Sequence, residues 1–512
     1  MKTPILLVLC ALCGLAISVP TCNYSTIGTT YVCFMNSSIA AATDTIGGTI
    51  EAGKSETDVK RVTTLDAANK DLIKLVLNKF ASLEALQIQK GGVASIDVTD
   101  FPSGKCGALK QLQIWNGQIN AIGAQDTNIF GACSLIEEID LTGNQLAKLH
   151  SGSLPTTLKK LILTNNLINP NYQTSSFFGS TTSLPGLTHL SLSGNKISSL
   201  SLVNLPSEIL THLDFSNNLL AEFPLVNLQK STKLVSFYLN GNKLTSIPET
   251  LVSSMPDLIE LKLGSNLITT IHQDAFKLNT KLTSLDISAN PLKTLNDAVL
   301  KNILTLTSLD IHDIQLESAS FTPLKTVLEA LANLQKLDIS SNSVGAIDTL
   351  FIKNVNLLDL SISSMKLNQF TNETFSTLVK LQNLTFSNNE IVEIPDKLFE
   401  KTTEMKRLIA RENKVAILKA STFATMKNLE VLDFTSNKIN KIEKTFFDQF
   451  TGLKEVRFAS NECINEDFVP FYKNDTATMA KFQKCFDNYN SARSIVISNI
   501  LLVFVAAVFK FM

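Results

Sequence analysis

Apolar residues return along this chain in one recurring figure, L-x-x-L-x-L-x-x-N-x-L. Leu187, Leu190, Leu192, Asn195 and Ile197 trace it, as do Leu258, Leu261, Leu263, Asn266 and Ile268, and Leu429, Leu432, Phe434, Asn437 and Ile439. The asparagine slot falls at 144, 166, 195, 218, 242, 266, 290, 342, 389, 413, 437 and 461. Gly91, Gly117, Ile314 and Met365 fill it in four further copies, which makes sixteen. From 218 to 314 and from 365 to 461 every step is 24 residues. A fixed period of this length predicts one stacked array in place of several globular domains.

Alternation in the x-L-x-L-x stretch predicts a short strand with two side chains on one face. A single strand cannot bury them, whereas copies stacked about 4.8 Å apart make a parallel sheet over a continuous core. The asparagine then points inward, where its amide is expected to bond turn backbone that would otherwise be buried without partners. Ile314 and Met365 carry no amide, so the ladder is expected to loosen there. Phe276, Phe375, Phe399, Phe423 and Phe447 sit at a common offset after the slot and are expected to stack as an apolar spine.

These motifs resemble the extracellular leucine-rich-repeat family in its 24-residue form, over roughly residues 60 to 463. The resemblance implies an α/β solenoid: a horseshoe with a concave parallel β-sheet and disulfide-bonded terminal caps. The ends resemble those of insect secreted members. Cys22-Asn23-Tyr24 with Tyr31-Val32-Cys33 resembles a front cap, and Asn461-Glu462-Cys463-Ile464-Asn465 with Cys485 a closing one. That likeness implies the pairs Cys22–Cys33 and Cys463–Cys485. The third pair follows from the repeat itself. Cys106 and Cys133 each lie three residues before the first apolar residue of a repeat, Leu109 and Ile136. Equivalent positions of adjacent repeats stack within the roughly 4.4–6.8 Å that a disulfide spans, so Cys106–Cys133 is expected as a staple.

Composition adds the compartment. Lys2, the apolar run from Pro4 to Leu15 and the small residues Ala16 and Ser18 read as a secretory signal over 1–18. It would take Cys10 and Cys13 with it and leave six cysteines, an even number suited to an oxidising compartment. Sequons at Asn23, Asn36, Asn372, Asn383 and Asn474 fit the same route. A cap is then expected over 19–60, the repeats over 61–461, a second cap over 462–490 and a hydrophobic tail over 491–512. The apolar run Ile495 to Phe509 is short for a spanning helix. With small residues at Asn490-Ser491-Ala492 it reads as a GPI-attachment signal with Asn490 as the site; a short membrane helix, or neither, are the alternatives. Each leaves no cytoplasmic module, so any signal is expected to pass through a co-receptor.

The remaining chemistry lies on outward strand positions. One column runs Gln87, Gln113, Asp140, Ile162, Ser191, Asp214, Tyr238, Lys262, Asp286, Asp310, Asp338, Ser361, Thr385, Ile409, Asp433 and Arg457. Its three successive aspartates, with His312 and Asp313 nearby, suit a basic partner or a cation; the plain alternative is a preferred L-D-x-S choice, and no ligand set fixes a metal. Trp115 and Tyr238 are candidate anchors, and Arg407 and Arg411 make a small basic spot. The candidate ligand face is thus Trp115, Asp214, Tyr238, Lys262, Asp286, Asp310, Asp338 and Arg411. Lys+Arg and Asp+Glu number 45 and 46, so nothing favours nucleic acid. His189 and His212 occupy equivalent places on adjacent strands without further zinc ligands. No hydrolase, metalloprotease or phosphate-loop motif occurs. The expectation is a binding protein with no cofactor, on the outer side of the plasma membrane or secreted. It would take a protein or glycan ligand on the concave face and touch the membrane through its tail. Innate immune recognition is the first reading and cell adhesion the alternative.

Overall fold

The computed structural model describes residues 22–490 except 28–29, 36–49, 65–71, 91, 124–128, 148, 150–152, 170–183, 200–204, 224–227, 250, 345–346, 349 and 352. The signal segment, the hydrophobic tail and Asn36 therefore lie outside the described residues. The chain divides into two compact units, Met1–Leu244 with Ser254–Leu258, and Thr245–Ser253 with Ile259–Met512.

The first unit opens with an antiparallel hairpin, Cys22–Ile27 against Thr30–Met35. Its second strand runs parallel to Val59–Thr64, which pairs in parallel with Ala85–Gln89. Gln111–Trp115, Glu138–Asp140, Lys160–Ile162, His189–Ser191, His212–Asp214 and Ser236–Tyr238 follow, each parallel to the strand before it. The hairpin thus occupies the sheet edge that the first repeat would otherwise leave unpaired. In the second unit Glu260–Lys262, Ser284–Asp286, Ser308–Asp310, Lys336–Asp338, Asp359–Ser361, Asn383–Thr385, Arg407–Ile409, Val431–Asp433 and Glu455–Arg457 stack likewise. Asp467–Phe468 closes that edge in the antiparallel sense. All three expected disulfides are present, with Cα separations of 5.1 Å for Cys22–Cys33, 5.0 Å for Cys106–Cys133 and 5.1 Å for Cys463–Cys485.

The inward strand residues are buried, as at Leu190, Leu192, Leu285 and Leu432. Directly before every slot stands a residue in the left-handed region, sixteen in all from Lys90 to Ser460, with φ between 48° and 73°. That backbone turn sends the slot side chain inward. Asn195 shows the result. Its Nδ2 donates to Leu163 O and Leu192 O, both at 2.9 Å, and its Oδ1 accepts from Ile168 N at 3.0 Å. Asn144, Asn166, Asn218, Asn290, Asn342, Asn389, Asn413, Asn437 and Asn461 repeat the arrangement. One amide therefore satisfies backbone groups of two repeats at once.

The amide ladder is interrupted at Ile314 and Met365, as expected of side chains without an amide, but the stack keeps its register there. Both side chains are fully buried, and the strands on either side stay in register. A second left-handed residue follows each slot, Gln315 at φ 61° and Lys366 at φ 59°. Leu292 N, whose counterparts bond an asparagine, turns to Asn290 O at 2.9 Å instead. The phenylalanine spine holds in part. Phe375, Phe399 and Phe423 stack at 6.2 and 5.7 Å. Phe423 then meets Phe446 edge-on at 5.2 Å, while Phe447 packs on Phe471 and Phe482 of the C-terminal cap. Phe276 is buried apart from this group, with Leu300 and Leu324 at the same offset in the next repeats.

Removing a slot amide leaves buried backbone groups without partners, at roughly 1–3 kcal/mol each. Asn218→Ala in the first unit and Asn437→Ala in the second are each expected to cost at least about 2 kcal/mol in urea unfolding. The variant Asn428→Ala, at an exposed asparagine, is expected to cost about 0.5 kcal/mol or less.

Candidate ligand-binding face

Strand alternation puts the outward column on one open sheet face of each unit. Most of its members are half-buried, including Asp214, Tyr238, Lys262, Asp286, Asp310 and Asp338. Its aspartates have a structural task that the sequence reading missed. Each accepts the amide of the residue two further on. The distances are 3.0 Å for Asp140 from Thr142, 2.8 Å for Asp214 from Ser216, and 2.9 Å for Asp286 from Ser288. They are 3.1 Å for Asp310 from His312, 2.9 Å for Asp338 from Ser340, and 3.0 Å for Asp433 from Thr435. The carboxylate caps the strand where its backbone leaves the sheet. The recurrent D-x-S/T was the available signal.

Asp286, Asp310 and Asp338 stand on adjacent strands in register. Ligand atoms of Asp310, His312 and Asp338 lie within 4.8 Å of one another. His312 Nδ1 is already 2.8 Å from Asp310 Oδ1, so this nitrogen is engaged inside the group. Burial lowers the His312 pKa, but the Asp310 bond and the charges of Asp310, Asp338 and Asp286 outweigh it and raise the pKa above the usual 6.5. Burial keeps Asp310 itself above the ordinary carboxylate value despite its bonds to His312. Beside the pair lies an open hollow of about 240 Å³, lined by Ser308, Asp310, Lys336, Asp338, Asp359 and Ser361.

The other candidates are spread along the face. Trp115 is half-buried on the same side as Gln113, opposite Gln89 of the preceding strand. Lys262 bonds Glu260 at 3.1 Å. Arg411 Nε lies 2.6 Å from Oδ2 of Asp433, whose side chain is 1% exposed; this basic spot is held to its own sheet. In the first unit His189 and His212 stack, with ring centroids 4.1 Å apart. Burial first, then the charges of His212 and Lys160, lower the His189 pKa below 6.5. Among the sequons Asn23, Asn372 and Asn474 are exposed, and Asn383 is half-buried and bonded to Asp359. Asn490 is exposed at the end of a helical stretch, 483–490. Among the described residues no helix is long and apolar enough to cross a membrane.

The two histidines bear on stability in opposite senses. His189 has a depressed folded pKa, so its contribution is present above 6.5 and lost as pH falls from there through the folded value. His312 has a raised one, so its contribution is present below 6.5 and lost as pH rises through the folded value. Ring titration by NMR on metal-free protein is expected to place His189 below 6.5 and His312 above it. In Asp310→Asn the His312 midpoint is expected to drop, because burial then meets less opposition.

Comparison with known proteins follows the same lines. A leucine rich repeat model matches residues 232–292, and a model of the BspA type leucine rich repeat region (6 copies) matches residues 346–474. No curated protein sequence matches the chain. A leucine-rich-repeat protein of Leptospira interrogans is similar in structure, with a TM-score of 0.56 at 20% identity, over 80% of this chain and 91% of that one. A chain of the glycosylated Toll–Spatzle complex of Drosophila has a TM-score of 0.62 at 18% identity. That match covers 86% of this chain and 60% of the other, so the present chain spans less than two thirds of it. A chain of the TLR13–ssRNA13 complex gives 0.58 at 20% identity, over 90% of this chain and 69% of that one. At such identities the likeness is one of fold. With a left-handed turn before each repeat slot, asparagine amides that close the turns where the slot holds asparagine, and two repeat models that match, the chain is a leucine-rich-repeat protein.

Proposed function

We propose that this protein is an extracellular recognition receptor or co-receptor that takes a protein or glycan ligand on its open sheet face and is held at the cell surface by a GPI anchor. The observation that carries the reading is the division of each strand. Inward positions are spent on the core, and the half-buried outward positions form a mostly polar sheet face in each unit. Solenoids of stacked repeats use such surfaces for binding. Three disulfides suit an oxidising compartment, and they hold the caps and one repeat junction. The apolar tail over 495–509 supplies the anchor signal. Innate immune recognition is the role favoured; the Toll–Spatzle chain, similar in fold, comes from a complex of development and innate immunity.

The column offers its own probe. Asp140, Asp214, Asp286 and Asp338 are each followed two residues on by Thr142, Ser216, Ser288 and Ser340. A single Asp→Asn change at any of them creates a sequon, and the asparagine Oδ1 can keep the strand-end bond to the same amide. The full-length protein is expressed on cells, and a phosphatidylinositol-specific phospholipase is expected to release it. Released protein is then tested on microbial and host cells. A glycan at one or more of the four positions is expected to abolish binding while the protein is released in normal amounts. Binding that survives all four glycans would place the ligand off this face. Protein that the enzyme leaves on the cells would contradict the anchor, and aggregation of the expressing cells with one another would favour the adhesive role.

A further inference from the structure

Along the flank of the first unit's sheet a column of charges alternates in sign: Lys60, Glu84, Lys110, Glu137 and Lys159. The column is stacked as well as periodic. Each backbone N–H bonds the carbonyl of the member before it, at 2.9, 2.9, 2.9 and 2.8 Å in turn. Thr188 continues the stack without charge, so the charged strip ends at Lys159. Beside it the first outward strand positions run in register through Arg61, Ala85, Gln111, Glu138 and Lys160. The two columns line an open hollow of about 610 Å³, a size common among ligand sites. Five cations face three carboxylates there. Glu84 takes Lys110 at 2.9 Å and Lys60 at 3.8 Å, Glu137 takes Lys159 at 2.7 Å, and Glu138 takes Lys160 at 3.1 Å. Lys60 also meets Ser82 O at 3.4 Å. Arg61 is exposed and has no ion pair among the described residues. An ammonium carries three donors and a guanidinium five, so these contacts leave every cation with donors to spare.

We propose that this strip binds an acidic glycan that carries one anionic group, uronate or sulfate, per disaccharide. The spacing carries the argument. Strands of a sheet lie about 4.8 Å apart, so cations on every second strand repeat at about 9.6 Å, close to the length of an extended disaccharide. The strip offers three such rungs: Lys60 with Arg61, then Lys110, then Lys159 with Lys160. Three rungs take three anionic groups, hence a hexasaccharide. Glu84 and Glu137, on the strands between, accept hydroxyls of the neutral sugars. A polyanion charged at every unit would set anions against these same carboxylates, so the alternation rejects it. The proposal names a ligand class for the sheet face and rests on the recognition reading above.

The test uses the full chain and defined oligosaccharides, with calorimetry at low salt as readout. Hyaluronan oligomers supply the uronate, and keratan oligomers sulfated once per disaccharide supply the sulfate; the one that binds identifies the anionic group. Affinity is expected to rise from the disaccharide to the hexasaccharide, to level off beyond it, and to fall with added salt. Arg61→Gln and Lys110→Gln are each expected to weaken hexasaccharide binding about 2–5-fold with an unchanged circular dichroism spectrum. Glu84→Gln combined with Glu137→Gln is expected to admit heparin and a single-stranded oligonucleotide, which the parent chain binds more weakly than the hexasaccharide. A neutral oligosaccharide bound as well as the acidic ones overturns the proposal. So does an affinity indifferent to Lys110→Gln, a parent chain that prefers heparin or the oligonucleotide, or no binding of either hexasaccharide. Binding of the released protein to microbial and host cells reads the recognition role separately. Cells bound by a chain that takes neither hexasaccharide would leave that role standing and overturn this ligand alone.

Discussion

Every repeat must turn its backbone at the end of a strand, and the turn faces the core. The amides and carbonyls exposed by that turn have no water to bond, and an unmet buried group costs more than a typical hydrogen bond returns. The rest of the structure depends on how this is met. A left-handed residue points the slot inward, and one asparagine amide bonds carbonyls of its own and the preceding repeat while accepting an amide of the latter. Stacking is thereby polar as well as apolar. A repeat without its neighbour lacks both its hydrophobic partner and its turn bonds, which is why stability in such arrays is a sum over neighbouring pairs.

The same constraint positions the chemistry. Inward side chains are committed to the core, and turn asparagines to the ladder. What remains is the outward column, where carboxylates cap strand ends and paired histidines meet. The aspartates are structural first, since each holds an amide through one oxygen. Their run on adjacent strands still gives the second unit a local negative field, which shows in the raised pKa of His312. In the first unit the repeat brings two Thr-His dipeptides into register and stacks their rings. A one-dimensional stack thus amplifies any side chain that recurs at one position.

Much of this was legible in the sequence because it is periodic. Slot, strand, inward pair and the Cys106–Cys133 staple all follow from position within the repeat. What was illegible lacks a residue signature. Lys90 and Glu412 occupy the left-handed position as Gly194 does, so residue type did not mark it. The turns at Ile314 and Met365 are rebuilt by backbone torsions at Gln315 and Lys366, which no side-chain pattern encodes. Phe446 replaces Phe447 in the spine because the cap aromatics Phe471 and Phe482 compete for the latter. A second buried amide series also escaped notice, with Asn279 donating to Val252 O and Asn354 to Leu328 O. It recurs too rarely to read as a ladder. Of the candidate face, the column was foreseen, while the binding of Arg411 to Asp433 was not, because the pair is 22 residues apart.

The claim that slot asparagines close the turns is tested most directly by residue-resolved hydrogen exchange on the native protein. The amides of Ile168, Ile197 and Val415 bond only a side-chain oxygen in the hydrogen bonds described, those of Asn195, Asn218 and Asn437. The account predicts that they exchange as slowly as the strand amides of Leu190 and Leu432. Exchange at the rate of open surface turns would mean that the ladder does not hold the repeats together.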